Sequence, residues 1–426
     1  MGGFVRVLAF AVVLRHARFR RVWCGQAASA VGDGVTLVAL PGAVLAHHSK
    51  TDLGLVLGAQ SLALVGAALL GGVLADRLRR SWVMAAADVV RLVTAVCFAL
   101  GAARAPLLVP VLLALATGFA AGVFTPAFGA LIPDLVPDED LPKANALRSI
   151  TVRTGQVLGP ALGGLLLAAG TAGATSGTAS GAASGTAFDL VFWLDAGTFA
   201  ASVATLGRVG DPRPARTTGG TVLRQAREGL AAVRERTWVL TIIVQGTLQL
   251  LLVMAPVAVL LPIILAERGE FAAYGPMVAL QAVGSVAGGM AIAAWSPRRP
   301  GTVAVLGLGL LAGQLACLLA NAPLTLLGLS MAVTGFGYAV FNVAWASALQ
   351  RAIPSDKLGR VFAIDTIGTY GLQPLGFSLA PLAATAFGNG PVLWTGLAAL
   401  TATTAVPLFQ RDVRRFADAG QATAGA

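Results

Sequence analysis

From Thr237 to Ala266 the chain runs without one charged side chain. That run exceeds the roughly 20 apolar residues a helix needs to cross a bilayer's hydrocarbon core. Inside lipid every backbone polar group must be satisfied by the segment itself or by a closed barrel, so few folds remain. The apolar runs here are too long and too continuous for barrel strands, which alternate apolar and polar residues. They therefore predict helices. Twelve such runs are read, at 22–46, 52–75, 82–103, 106–133, 141–170, 188–207, 238–266, 272–296, 300–320, 323–350, 358–387 and 391–410. Charges sit inside the fifth and the eleventh. Composition agrees: 12% of residues are charged, about half the usual share of a soluble protein. The fold class is an all-α membrane protein with twelve transmembrane helices.

Lys and Arg set the orientation, because cytoplasmic loops carry their excess. One set of loops holds Arg15–Arg21, Arg77–Arg80, Arg208–Arg236, Arg298–Arg299, Arg351–Arg360 and Arg411–Arg415; the other holds Lys50, Arg104 and Arg268. Both termini are then cytoplasmic, in a plasma (inner) membrane. The net charge of +11 matches lipid headgroups as partners. Nucleic acid is a poor fit, since the basic residues are scattered over short loops. The first apolar run is too long for a cleaved signal and no small-residue cleavage pattern follows it.

Two loops stand apart. Residues 171–187 are small and uncharged, and disorder without chemistry is expected there. Residues 210–237 form the longest polar stretch. From Thr221 its spacing predicts a basic amphipathic helix on the membrane surface. That stretch divides the chain into bundles at 1–207 and 238–426 with a linker at 208–237. The halves repeat at an offset of 217 residues. Phe124 falls on Phe341, Pro137 on Pro354, Leu141 on Leu358, Lys143 on Arg360, Arg148 on Asp365, and Gly71–Gly72 on Gly288–Gly289. Two pseudo-symmetric six-helix bundles are a transporter architecture.

"GGVLADRLRR" (71–80) follows the second run on the cytoplasmic side. It resembles the loop signature of the major facilitator superfamily at Gly72, Leu74, Ala75, Asp76, Arg77 and Arg80, with Arg79 where glycine is usual. The resemblance implies a latch in which Asp76 accepts from a neighbouring helix N-terminus, Gly72 allows close approach, and the arginines sit at the headgroups. A plain basic anchor accounts for the same residues. In the second half Ala293 replaces the acid, so a one-sided latch is expected, with Asp365 in its region. "GQVLGPALGG" (155–164) is similar to the superfamily's antiporter motif at Gly155, Gly159, Pro160, Gly163 and Gly164. It implies close packing with a hinge-like contact between the halves; an ordinary small-residue seam is the alternative. Together with "AADVVR" (86–91) and "DTIGTYGLQPLGFSLA" (365–380), the chain resembles the macrolide-efflux and enterobactin-exporter-like branch of drug:proton antiporters.

Charges at membrane depth are costly and mark function or pairing. Asp33 lies ~18 Å past Arg21 along a helix, between glycines. It is the candidate protonatable group and meets a cationic substrate, unless local backbone or an arginine holds it. Arg153 is its candidate partner, or an anion contact, with a packing salt bridge as the alternative. Asp88 and Arg91 share a helix face and are read as a structural pair on a peripheral helix. Asp195 has no partner visible in the sequence. Gln26, Gln245, Gln249, Gln281, Asn342, Gln373, Phe341 and Trp345 are further lining candidates. The three His and three Cys have no metal-ligand spacing, and no phosphate-binding loop appears. No enzyme chemistry, cofactor or metal is expected. The expectation is a monomeric secondary transporter that exports a small amphipathic molecule such as a drug, antibiotic or natural product by proton antiport and alternating access. A facilitator or importer on the same fold is the alternative.

Overall fold

The computed structural model describes residues 12–172, 180–210, 230–231, 233–295 and 297–416; within these, the side chains at 69, 72–73, 75–76, 170–172, 180–186, 355–356 and 359 fall outside the description. Among the described residues there is helix and no strand. Twelve helical spans follow one another. The first six are Ala17–Leu45, Lys50–Arg77, Arg80–Ala99, Leu108–Leu131, Leu141–Ala172 and Ser180–Leu206. The next six begin with Thr237–Glu267, Tyr274–Ala294 and Pro300–Leu319. Leu324–Ala352, an eleventh span in two pieces (Ser355–Tyr370 and Gln373–Phe387), and Asn389–Ala405 complete the set. Ten of these are long and apolar enough to cross a membrane. The fifth, with Lys143, Arg148 and Arg153 in its first half, and the divided eleventh are not among them. The twelve-helix reading holds.

Local sequence sets the ends. Ser49 caps the second span: its hydroxyl accepts from Asp52 N–H, and the Asp52 carboxylate accepts from Ser49 N–H at 3.0 Å. This reciprocal pair satisfies two donors that helix geometry leaves open. Proline shapes the interiors. Pro374 opens the second piece of the eleventh span. The seventh span winds through a π turn at Leu250–Met254 before Pro256 and Pro262. The first span is α-helical throughout.

The chain falls into two compact units, Met1–Thr217 with Arg268–Ala279, and Thr218–Glu267 with Leu280–Ala426. Each has an apolar core at the end that bears its first residues. In the first unit Phe19, Val22, Met84, Leu131 and Ile132 are buried together. In the second, Trp238, Trp345, Val413 and Phe416 are, with the Trp238 and Phe416 rings 5.7 Å apart. Close helix crossings join the spans within each unit. A Cβ on Gly118 would stand 2.0 Å from the Gln60 carbonyl, and one on Gly335 1.9 Å from the Gln281 carbonyl. Gly118 and Gly335 are equivalent at the 217-residue offset, whereas Gln281 corresponds to Leu64, one turn along from Gln60, so the two joints are similar but shifted by a turn. The expected small-residue loop and surface helix lie largely outside the described residues.

Candidate functional site

Three spans of the first unit meet in a polar network. Arg91, on the third span, donates to Asp33 of the first span and, at 3.2 Å, to Asp88 one turn back on its own helix. Asp88 also accepts from Ser202 of the sixth span at 2.6 Å, and Ser202 accepts from Gln26 of the first at 2.8 Å. The Arg91 guanidinium lies over the Phe199 ring, 4.2 Å from its centroid. The Asp88 side chain is fully buried and that of Arg91 nearly so, whereas Asp33 is 48% exposed. Helix periodicity explains the grouping: Gln26 and Asp33 are two turns apart, on one face of the first span. Asp195 of the sixth span is buried beside them. It accepts from Thr36 at 2.6 Å, and its carboxylate lies against Gly32. One guanidinium therefore serves a region holding three carboxylates.

Asp33, Gln26 and Arg91 open onto a cavity of about 280 Å³ within the first unit. Trp23, Phe124 and Phe128 form aromatic walls, and Arg148, Thr151 and Val152 enter from the fifth span. Trp23 is fixed by donating to Thr151 at 2.7 Å.

The second unit holds a cavity of about 70 Å³. The offset of 217 carries Ser29, Asp33, Arg91, Ala121, Phe124, Thr125, Phe128, Arg148 and Val152 of the first cavity onto Gly246, Leu250, Leu308, Tyr338, Phe341, Asn342, Trp345, Asp365 and Thr369 of the second. These nine wall positions correspond while the charges change. Asp33 and Arg91 become leucines, and Arg148 becomes an acid. Trp345 donates to Asp365 at 3.1 Å, and the Tyr338 and Tyr370 hydroxyls are 3.3 Å apart.

Several sequence expectations are revised by this geometry. The ion-pair partner of Asp33 is Arg91, not Arg153. On the fifth span 148, 152, 155 and 159 share a face, and Arg153 is turned ~100° from Val152. Arg153 is exposed, with no ion pair among the described residues. Asp88 and Arg91 do pair, but Arg91 also reaches Asp33 and the cavity, so they are not a self-contained peripheral couple. Asp365 stands on a cavity wall rather than at a loop. Arg80 pairs with Asp134 instead of reaching only for headgroups, because the turn after the fourth span brings an acid beside it. Arg77 is exposed. The side chains of Gly72 and Asp76 lie outside the described residues.

The glycines of 155–164 are close contacts. A Cβ on Gly155 would meet the Ala30 carbonyl at 2.5 Å, and one on Gly159 would meet Gly34 Cα at 2.5 Å. One on Gly163 would meet the Val35 carbonyl at 3.2 Å. These three press on the first span, inside the first unit, so their contact is not one between sequence halves. Gly164 meets Gly275 and Pro276, and Pro160 turns its carbonyl toward Gly275; both partners open the eighth span, so at these two positions the motif does touch the second sequence half, within the first compact unit. In the second unit a Cβ on Gly376, the equivalent of Gly159, would meet the Leu251 carbonyl at 2.7 Å.

Sequence reasoning missed the Asp33–Arg91 pair and the place of Arg148. A usable signal existed. Arg91 lies ~17 Å past Arg80, nearly the depth of Asp33 past Arg21.

Comparison with known proteins gives a consistent family. The profile of the Major Facilitator Superfamily matches residues 22–370. Enterobactin exporter EntS of Shigella boydii serotype 18 is 35% identical over 167 residues, 38% of this chain and 40% of the relative. EntS of Citrobacter koseri matches to the same extent. The match thus spans well under two thirds of these relatives. Among solved structures, a nucleoside transporter NupG variant is similar with a TM-score of 0.73 at 14% identity, over 92% of this chain and 99% of that one. A D-xylose-proton symporter gives 0.66 at 16% identity, over 96% and 98%. At such identities these structures bear on the fold alone.

Proposed function

The chain belongs to the Major Facilitator Superfamily, and on that premise we propose that this multi-pass membrane transporter exports a small amphipathic molecule by proton antiport. Both termini are cytoplasmic in this reading, as the distribution of Lys and Arg indicates. The likeness to an enterobactin exporter supports the outward direction.

The observation that carries coupling is Asp33, open to the cavity while paired with an arginine that Asp88 holds from behind. A region with three acids and one base is where a proton is exchanged at membrane depth. A proton on Asp33 neutralises its side of the ion pair. Arg91 then keeps only Asp88, and the first span loses its charged tie to the third. Loss of the proton restores that tie. Substrate and proton thereby take turns at one cavity, as antiport requires.

The test is transport in inverted membrane vesicles under an imposed pH gradient, across a panel of amphipathic compounds. Asp33→Asn is expected to abolish gradient-driven transport while the protein still reaches the membrane. The neutral amide mimics the protonated acid, so binding persists. Wild-type pumping by this variant removes Asp33 from coupling. Unimpaired transport down a substrate gradient, with no response to pH in either protein, favours a facilitator.

A further inference from the structure

One cation on the wall of the first unit's cavity takes part in no ion pair among the described residues. Asp33 and Arg91 answer each other. Arg148 lies on the cavity wall with its guanidinium 4.7 Å from the Phe128 ring centroid. Among the described residues no carboxylate stands within ion-pairing distance of it. An uncompensated cation at membrane depth is costly and calls for a counter-charge.

The second unit provides an internal control. Arg148 and Phe128 correspond to Asp365 and Trp345, and there too the two side chains touch. The same helix, wall and cavity form around an acid. The fold therefore does not demand a cation at this position. With Asp33 paired to Arg91, Arg148 is the charged group on the cavity wall that has no ion pair among the described residues.

We propose that this cavity takes an aromatic molecule bearing a carboxylate or phenolate, with Arg148 contacting the anionic oxygens and Trp23, Phe124 and Phe128 bordering the ring. The proposal rests on reading the cavity as part of the transport site. The guanidinium fork matches a carboxylate in two parallel hydrogen bonds. The volume is adequate: a cavity of about 150 Å³ accommodates benzene, and this one measures about 280 Å³.

A matched pair of probes tests it. Naphthoate and naphthylmethylammonium share a ring and differ in charge. Their affinities for the purified full chain in nanodiscs are measured by calorimetry, with no pH gradient. Wild-type protein is expected to bind naphthoate about tenfold more tightly than the cation, the scale of one charge-assisted contact. Arg148→Gln is expected to remove that preference by weakening naphthoate binding, with the cation bound no less tightly than by wild type. Arg148→Lys, which keeps the charge but not the fork, falls between. Equal binding of the two probes, tighter binding of the cation, no saturable naphthoate binding, or an Arg148→Gln variant that matches wild type overturns the proposal. The wild-type comparison decides even if Arg148→Gln does not fold. Anion preference without pH-driven transport leaves this inference standing and removes the antiport reading. pH-driven export confined to cations does the opposite.

Discussion

Arg91 is held from two sides, and the two carboxylates differ in what removing them does. Asp88 is fully buried, so Asp88→Ala leaves a buried guanidinium with one partner at the cavity edge. Breaking a buried pair in this way costs roughly 3–5 kcal/mol. Asp88→Asn keeps an acceptor for Ser202 and is expected to fall between. Ser202→Ala removes one hydrogen bond and costs about 1 kcal/mol. Thermal unfolding in detergent checks the order: wild type, Ser202→Ala, Asp88→Asn, Asp88→Ala. If Asp88→Ala unfolds with wild type, Arg91 is anchored by something other than this carboxylate. The exposed partner, Asp33, is expected to affect transport more than unfolding.

Between helices, the first and fifth spans cross closely beside the cavity. Gly34 and Gly159 stack backbone on backbone, so Gly159→Leu has no room for its side chain. Export is expected to fall below a tenth of wild type at normal membrane expression, the order of a site displaced by about 1 Å. Wild-type efflux from Gly159→Leu would mean the spans separate freely. Gly159→Ala, a single methyl, is expected to be intermediate. The motif that places these glycines was legible in the sequence, as were the twelve spans, because lipid leaves the backbone so few options. The partner of the motif was not. Small-residue spacing says that a helix comes close but not which one. Sequence separation also hid the Asp33–Arg91 contact, since depth is countable from helix rise whereas the direction a residue faces depends on how neighbouring helices are rotated.

At the scale of the molecule, one clamp fastens the start of the first unit. Asp140, almost fully buried, accepts from Lys143 at 2.7 Å and lies 3.0 Å from His16 Nε2 and 3.3 Å from Arg15. Hydrogen bonds from Lys143 and His16 hold its carboxyl well below the ordinary range. A depressed carboxyl stabilises the fold at every pH above the ordinary value near ~4, and that contribution is lost only as pH falls through the lower folded-state value. Asp140→Asn is accordingly expected to unfold at a lower temperature than wild type at pH ~7, with the difference vanishing only in strong acid, below pH ~4. A constant difference down to the lowest pH would mean the clamp acts by shape alone. The clamp belongs to one half of a duplicated chain, and the seventh span shows where the duplication ceases to be a copy. Leu251 stands where the first half has Gly34, and there the helix widens into a π turn at Leu250–Met254. A π turn takes in one residue more than an α turn, which rotates everything beyond it by ~100° about the helix axis. The first and seventh spans are thus in phase up to the cavity wall and out of phase past it. Along this one span the inherited symmetry of facing ends there, and a pair of residues chosen on it by offset alone shares a facing before that turn but not after it.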